Sequence, residues 1–256
     1  MNESLTVYLS FYAVLVAIVR PAIVAVILLG LWAALRRTKM DADAQTTTWF
    51  AVAIPLAVWL IAIWIVAASG ALQARSGALP LLPMALVLPI AVGLFALMRS
   101  ASIAAAIDVA SPAWLIGLQV YRVLGSNFVI LWGLGGAIPP VFALPAGLGD
   151  VLVGVLALPV ALYVASGAAG GYVAGIAWNV LGIVDLVNAV SLGLLSSPGP
   201  VHLIALDNPN LLATSYPTVL TPAFAVPLSI ILHVLSIWQL HRQAKQSTRL
   251  RLTPAS

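Results

Sequence analysis

Long apolar runs separated by short polar segments dominate the pattern of the chain. A transmembrane helix needs about 20 mainly apolar residues to cross roughly 30 Å of hydrocarbon, and seven runs meet that requirement. Continuous apolar runs favour helices over the alternating strands of a β-barrel. The pattern therefore predicts an all-α, polytopic transmembrane bundle of one domain (1–256) with seven membrane-spanning helices. We number these spans 1 to 7, and they run roughly over 8–35, 49–72, 79–98, 112–134, 145–166, 172–195 and 222–241.

Composition agrees with a membrane protein. The chain is 62% hydrophobic and 7% charged, whereas soluble domains carry about 25% charged residues. A soluble fold this apolar has too little polar surface to cover itself. Cysteine is absent, which excludes disulfides and thiolate metal sites. The first apolar run has Glu3 but no Lys or Arg before it and no clear cleavage pattern, so we interpret it as a retained span and not as a signal peptide.

The basic residues predict an orientation. In a seven-span protein, those that follow spans 1, 3 and 7 lie on one side of the membrane, and Arg75 lies on the other. The positive-inside rule places the larger group on the cytoplasmic side of a bacterial inner (plasma) membrane. The N-terminus is then outside, and 242–256 form a basic cytoplasmic tail. This asymmetry explains the net charge of +4 without a nucleic-acid partner, and the tail is expected to contact anionic lipid headgroups. The larger group is Arg36, Arg37, Lys39, Arg99, Arg242, Lys245, Arg249 and Arg251.

The connections are short, so no soluble domain is expected. The longest are 38–48 and 100–111 on the inside and 196–221 on the outside. The outer one combines prolines and asparagines with several leucines, and it fits a lid, a short interfacial helix or a simple connection. Spans 2 and 3 contain almost no polar residues, so we predict that they form scaffold or an oligomer surface.

Span 6 contains polar residues within an apolar run. At 100° per residue, Asp185, a tryptophan and several small residues fall on one stripe, with Asn179 and Asn188 on its two flanks. The opposite face is rich in β-branched residues suited to lipid. The polar stripe is therefore predicted to face the bundle interior, where small residues allow close helix packing. The stripe consists of Gly175, Trp178, Gly182, Asp185, Ala189 and Gly193.

Four other spans carry polar or ionisable residues. Span 1 has Arg20 before Pro21, and span 5 has Asp150 in a stripe of small residues. Helical spacing puts polar groups of span 4 on one face and aligns polar groups of span 7. The span 4 set is Gln119, Arg122 and Ser126, and the span 7 set is Ser229, His233 and Ser236.

Charged side chains are unfavourable inside a bilayer. Each costs about 2.5–3.5 kcal/mol or more at the centre, and pairing reduces that cost. Helical depth predicts an Arg122–Asp185 pair, with Arg20 or His233 nearby. Two interpretations remain open: a structural ion pair with amide side chains that join helices, or a polar cavity that binds a solute, proton or cofactor. The candidate residues for a ligand or proton site are Arg20, Gln119, Arg122, Asp150, Asn179, Asp185, Asn188 and His233.

One short motif has a known counterpart. GLGD at 147–150 resembles the Gly-x-Gly-Asp motif of the presenilin and prepilin-peptidase class of intramembrane aspartyl proteases. VYR at 120–122 and PAF at 222–224 faintly resemble two further sequence elements of that class. The resemblance implies a catalytic Asp150. Arg122 stands where the first aspartate of that class is expected, so Asp185 is the remaining candidate for the second carboxylate that the mechanism requires.

No metal or cofactor is predicted. His202, His233 and His241 lie in a loop, at mid-membrane and at the inner boundary, and the last two are about 12 Å apart along one helix. No HExxH motif or paired cysteine is present. The sequence thus predicts a membrane protein that binds or translocates a small solute or proton. The alternatives are an intramembrane enzyme and a structural or signalling component without a small-molecule site.

Overall fold

The seven-span fold class is confirmed. The computed structural model describes residues 3–74 and 81–252, with the backbone alone for 247–252. These residues form helices and no strands, and seven helical segments are long and apolar enough to cross a membrane. Arg75 and the first residues predicted for span 3 lie outside the described residues. The α-helices are α1 Glu3–Leu35, α2 Ala42–Ala68, α3 Leu81–Arg99, α4 Ala101–Val109, α5 Pro112–Gly117, α6 Ser126–Gly133, α7 Pro140–Ala165, α8 Gly171–Ser196 and α9 Val226–Leu252.

Span 4 is not one continuous α-helix. A 3₁₀ helix, Leu118–Gly125, joins α5 to α6, although 3₁₀ runs beyond three or four residues are uncommon. With three residues per turn, positions i and i+3 share a face, so Gln119, Arg122 and Gly125 are buried together. The α-helical set that included Ser126 is therefore wrong, and Ser126 is only partly buried.

α2, α4 and α7 begin within predicted loops, and each begins at residues suited to a helix N-terminus. The Ser100 hydroxyl accepts the Ile103 N–H at 3.2 Å and starts α4 within the predicted 100–111 loop. The Asp41 carboxylate accepts the Ala44 N–H at 2.7 Å and starts α2 before the predicted span. Pro140 opens α7 earlier than predicted, since the first turn needs no N–H from it.

Span 7 begins with a π-helical turn, Thr221–Ala225, and continues as α9. Pro222 and Pro227 have no N–H to donate, and the Val226 N–H instead reaches back to the Thr221 carbonyl. α9 contacts α3, α5 and α8 and is the most enclosed of the seven spans. It also continues as helix to Leu252, so the first part of the predicted tail is helical; 253–256 lie outside the described residues.

The C-terminal half of α9 holds α4 in place. Gln239 Nε2 donates to the carbonyls of Ile107 and Ala110 at 3.0 Å each. Arg242 donates to both carboxylate oxygens of Asp108 at 2.7 and 2.6 Å. These hydrogen bonds from Arg242 hold the pKa of Asp108 below its usual range. The ion pair is present at neutral pH and is lost only when acid protonates Asp108.

Candidate functional site

Arg122 lies at the centre of a buried ion-pair network. Its Nε donates to Asp150 Oδ1 at 2.8 Å, and its Nη2 forms an ion pair with the same oxygen at 2.7 Å and donates to Asp185 Oδ2. The Arg122 side chain is 2% exposed. The predicted Arg122–Asp185 pair is thus present, and Asp150 joins it.

His233 links this network to α8 through a defined tautomer. Arg122 Nη1 donates to the Gly182 carbonyl at 3.2 Å and to His233 Nε2 at 3.0 Å. A guanidinium can only donate, so Nε2 accepts and the ring proton is on Nδ1. His233 Nδ1 then donates to Asn179 Oδ1 at 2.9 Å, and Asn179 Nδ2 donates to Ser236 Oγ at 3.0 Å. His233 therefore serves as a fully buried hydrogen-bond link between α8 and α9.

Glycines make room for the network. A Cβ on Gly149 would overlap Asp185 Oδ1, and a Cβ on Gly147 would lie 2.6 Å from Val129 Cγ2. Close packing thus accounts for both glycines of the GLGD segment. Asp150 and Asp185 both accept hydrogen bonds from Arg122, whereas an aspartyl protease needs two carboxylates that share a proton. The geometry favours an ion-pair centre over the intramembrane protease.

Arg20 forms a second cationic centre. Its Nη2 donates to Thr221 Oγ1 at 3.0 Å, and the Tyr12 hydroxyl is 3.0 Å from the same oxygen. Arg20 is 3% exposed. Among the described residues, none accepts a hydrogen bond from Nε, and no carboxylate lies within 4.0 Å of the guanidinium nitrogens. The sequence analysis missed Tyr12 and Thr221, since each is a single hydroxyl in an apolar or loop-like stretch.

The two remaining candidates have different positions. Gln119 is fully buried, and its Nε2 donates to the Ser229 carbonyl at 3.0 Å, so it joins span 4 to span 7. Asn188 is exposed, and its prediction as an interior residue is wrong. The reason is that α9 packs against the flank of α8 that carries Asn179, while Asn188 lies on the other flank.

A cavity of about 380 Å³ leads from the end of the bundle where α1 begins to this network. Its walls are almost wholly apolar, and Asp150 and Thr221 lie at its inner end. The size falls within the range of about 300–1,000 Å³ for small-molecule sites. Residues of α3, including Leu82 and Leu86, form one wall of this cavity. That spans 2 and 3 form scaffold or an oligomer surface stays a prediction.

A polar cavity of about 20 Å³ adjoins the inner end. The two cavities share Asp150, Leu186, Thr221 and Val226 in their walls. Both arginines line only the polar cavity, which has room for about one water molecule. Together the two cavities form an apolar chamber with a charged inner end, and we call them the chamber and the polar cavity.

Comparison with protein families gives one match, over residues 79–241, to a family described as "Domain of unknown function (DUF8737)". The match covers more than half of the chain. The chain belongs to this family. The DUF8737 region contains spans 3 to 7 and therefore Arg122, Asp150, Asp185 and His233, whereas Arg20 and Tyr12 precede it. Comparisons with curated proteins and with solved structures give no match.

The described part of this DUF8737 protein offers no metal centre. No group of three or more His, Asp or Glu side chains within residues 3–74 and 81–246 is placed to hold a metal ion. The polar side chains at the inner end of the chamber and in the polar cavity include Arg20, Arg122, Asp150 and Thr221, and they lie next to an apolar surface.

Proposed function

We propose that the chain is a bacterial inner-membrane protein that binds a small amphiphilic solute in the chamber, as the binding step of transport. The apolar part of the solute contacts the chamber walls, and its polar end meets Asp150 and Thr221. The observation that carries this proposal is an apolar cavity of ligand size that ends at a buried charged network. Charged groups deep in a bundle are the usual binding elements of secondary transporters.

The basic residues supply the proposed direction. With Arg36, Arg37 and the C-terminal arginines in the cytoplasm, the chamber mouth faces outward. It lies beside Gln73 and the segment 197–201, which belong to outer connections in this orientation. Solute then enters from the outside or from the outer leaflet. Transfer of a proton through the same network stays a prediction from the sequence.

We expect a tryptophan at Ala189 to abolish binding, because Ala189 lines the chamber and the indole would fill it. The measurement is the thermal midpoint of the protein in nanodiscs with octanoate, octanol and octylamine, added below the concentrations at which they form micelles or a second phase. A ligand that binds the native state alone raises this midpoint with concentration. At least one of the three compounds should raise the thermal midpoint of the wild type, and none should raise that of Ala189→Trp.

Val187→Trp is the matched control. Val187 lies on the same helix, is 54% exposed and faces away from the chamber, so this variant should bind like the wild type. If none of the three compounds stabilises the wild type, or if Ala189→Trp retains the response, the proposal is wrong.

A further inference from the structure

The Arg20 guanidinium has unused donors at the inner end of the chamber. A guanidinium carries five N–H groups, and within residues 3–74 and 81–246 Arg20 has one acceptor, Thr221 Oγ1. The side chain lines the polar cavity, and its Nε finds no acceptor within the described residues. Buried donors are normally satisfied, and a buried arginine normally has an anionic partner. The unused donors thus leave Arg20 able to bind an acceptor that enters the polar cavity.

Arg122 differs from Arg20 in this respect. Its Nε, Nη1 and Nη2 all donate, to two carboxylates, one carbonyl and one imidazole. Arg122 therefore has little capacity left for a ligand, and its positive charge is already opposed by Asp150 and Asp185. Of the two buried cations near the chamber, Arg20 is the one available for an incoming group.

We propose that the solute is an amphiphilic carboxylic acid whose carboxylate binds Arg20 and the Thr221 hydroxyl, while its alkyl part fills the chamber. This inference rests on the proposed function. Thr221 lines both cavities, so a group that contacts its hydroxyl from the chamber is next to Arg20. The planar guanidinium fork matches a carboxylate, and the polar cavity, with room for about one water molecule, admits a carboxylate oxygen but not a whole phosphate group. The apolar walls select an alkyl or aryl body over a polar one.

The test compares three probes of equal chain length: octanoate, octanol and octylamine. Dissociation constants come from midpoint shifts in nanodiscs of zwitterionic lipid. Wild-type protein should bind octanoate about tenfold or more tightly than octanol, because a charge-assisted hydrogen bond contributes a preference of this size. It should bind octylamine most weakly. Arg20→Gln should remove the preference for octanoate and leave octanol binding unchanged. Unchanged octanol binding shows that the chamber is intact in this variant. Arg20→Lys keeps the positive charge but not the planar fork, so it should retain part of the preference for octanoate. Arg36→Gln removes an exposed cation and should retain the full preference.

Two results would overturn the inference while leaving the proposed function standing. One is a preference for octylamine, which would assign ligand recognition to Asp150. The other is an octanoate preference that persists in Arg20→Gln. Failure of all three probes on the wild type would contradict the proposed function itself, and the inference with it.

Discussion

Arg122→Met is expected to lower the free energy of unfolding by about 3–5 kcal/mol, the usual cost of removing one partner of a buried ion pair. Methionine keeps an unbranched side chain but removes the guanidinium, so the loss is mainly that of the ion pairs and hydrogen bonds of Arg122. It leaves Asp150 and Asp185 next to each other in an apolar interior without their cation. The measurement is the thermal midpoint in nanodiscs, which should fall by several degrees.

Neutral carboxamides provide the decisive control. In the triple variant Arg122→Met/Asp150→Asn/Asp185→Asn no charge of the trio remains, and much of the lost stability should return, since replacing a whole buried ion pair is often nearly neutral. Arg242→Met removes a partly exposed arginine that pairs with Asp108 and should cost less than about 1 kcal/mol. Equal losses in Arg122→Met and Arg242→Met would contradict the central role of Arg122.

Gly182→Ala is expected to destabilise the protein by about 1–3 kcal/mol, as overpacking of a filled core does. An added Cβ would overlap the His233 ring and lie 3.0 Å from Arg122 Nη1. Both groups are fixed by hydrogen bonds, so neither can move aside without breaking the link from Arg122 to Asn179. Thermal denaturation in nanodiscs measures the change.

Gly133→Ala is the matched helix-glycine control. Nothing lies within 4 Å of a Cβ at Gly133, and alanine is favoured over glycine in a helix by about 1 kcal/mol. Its midpoint should stay constant or rise. A fall in Gly133→Ala as large as that in Gly182→Ala would mean that the loss does not come from the His233 contact.

The sequence predicted the parts of the fold that hydropathy and helical spacing control. Seven apolar runs gave the spans, and the 100° spacing placed Asp185 toward the interior and Ser229, His233 and Ser236 on one buried face. The Arg122–Asp185 pair followed from helical depth. These features depend on one helix at a time or on depth in the membrane, and the sequence contains that information.

Features that depend on neighbouring helices were not predictable in this way. The 3₁₀ helix of span 4 replaces Ser126 by Gly125 on the buried face, where a Cβ on Gly125 would overlap Asp150 of α7. Asn179 and Asn188 lie on opposite flanks of the same stripe, and the flank against which α9 packs is the one that carries the buried Asn179. The chamber exists because α3 packs at its wall, and nothing in the apolar sequence of span 3 indicates this.

The most direct test of the central claim, an outward-facing chamber that binds a solute, uses the absence of cysteine from the chain. Ala189→Cys places one thiol in the chamber wall, and Val187→Cys places one on the exposed face of the same helix. The measurement is the rate of modification by a membrane-impermeant thiol reagent added outside intact cells. The account predicts that Ala189→Cys reacts, that octanoate slows the reaction, and that Val187→Cys, in contact with lipid, does not react. A thiol at position 189 that reacts no faster than the one at 187, or that reacts only from the cytoplasmic side, would contradict it.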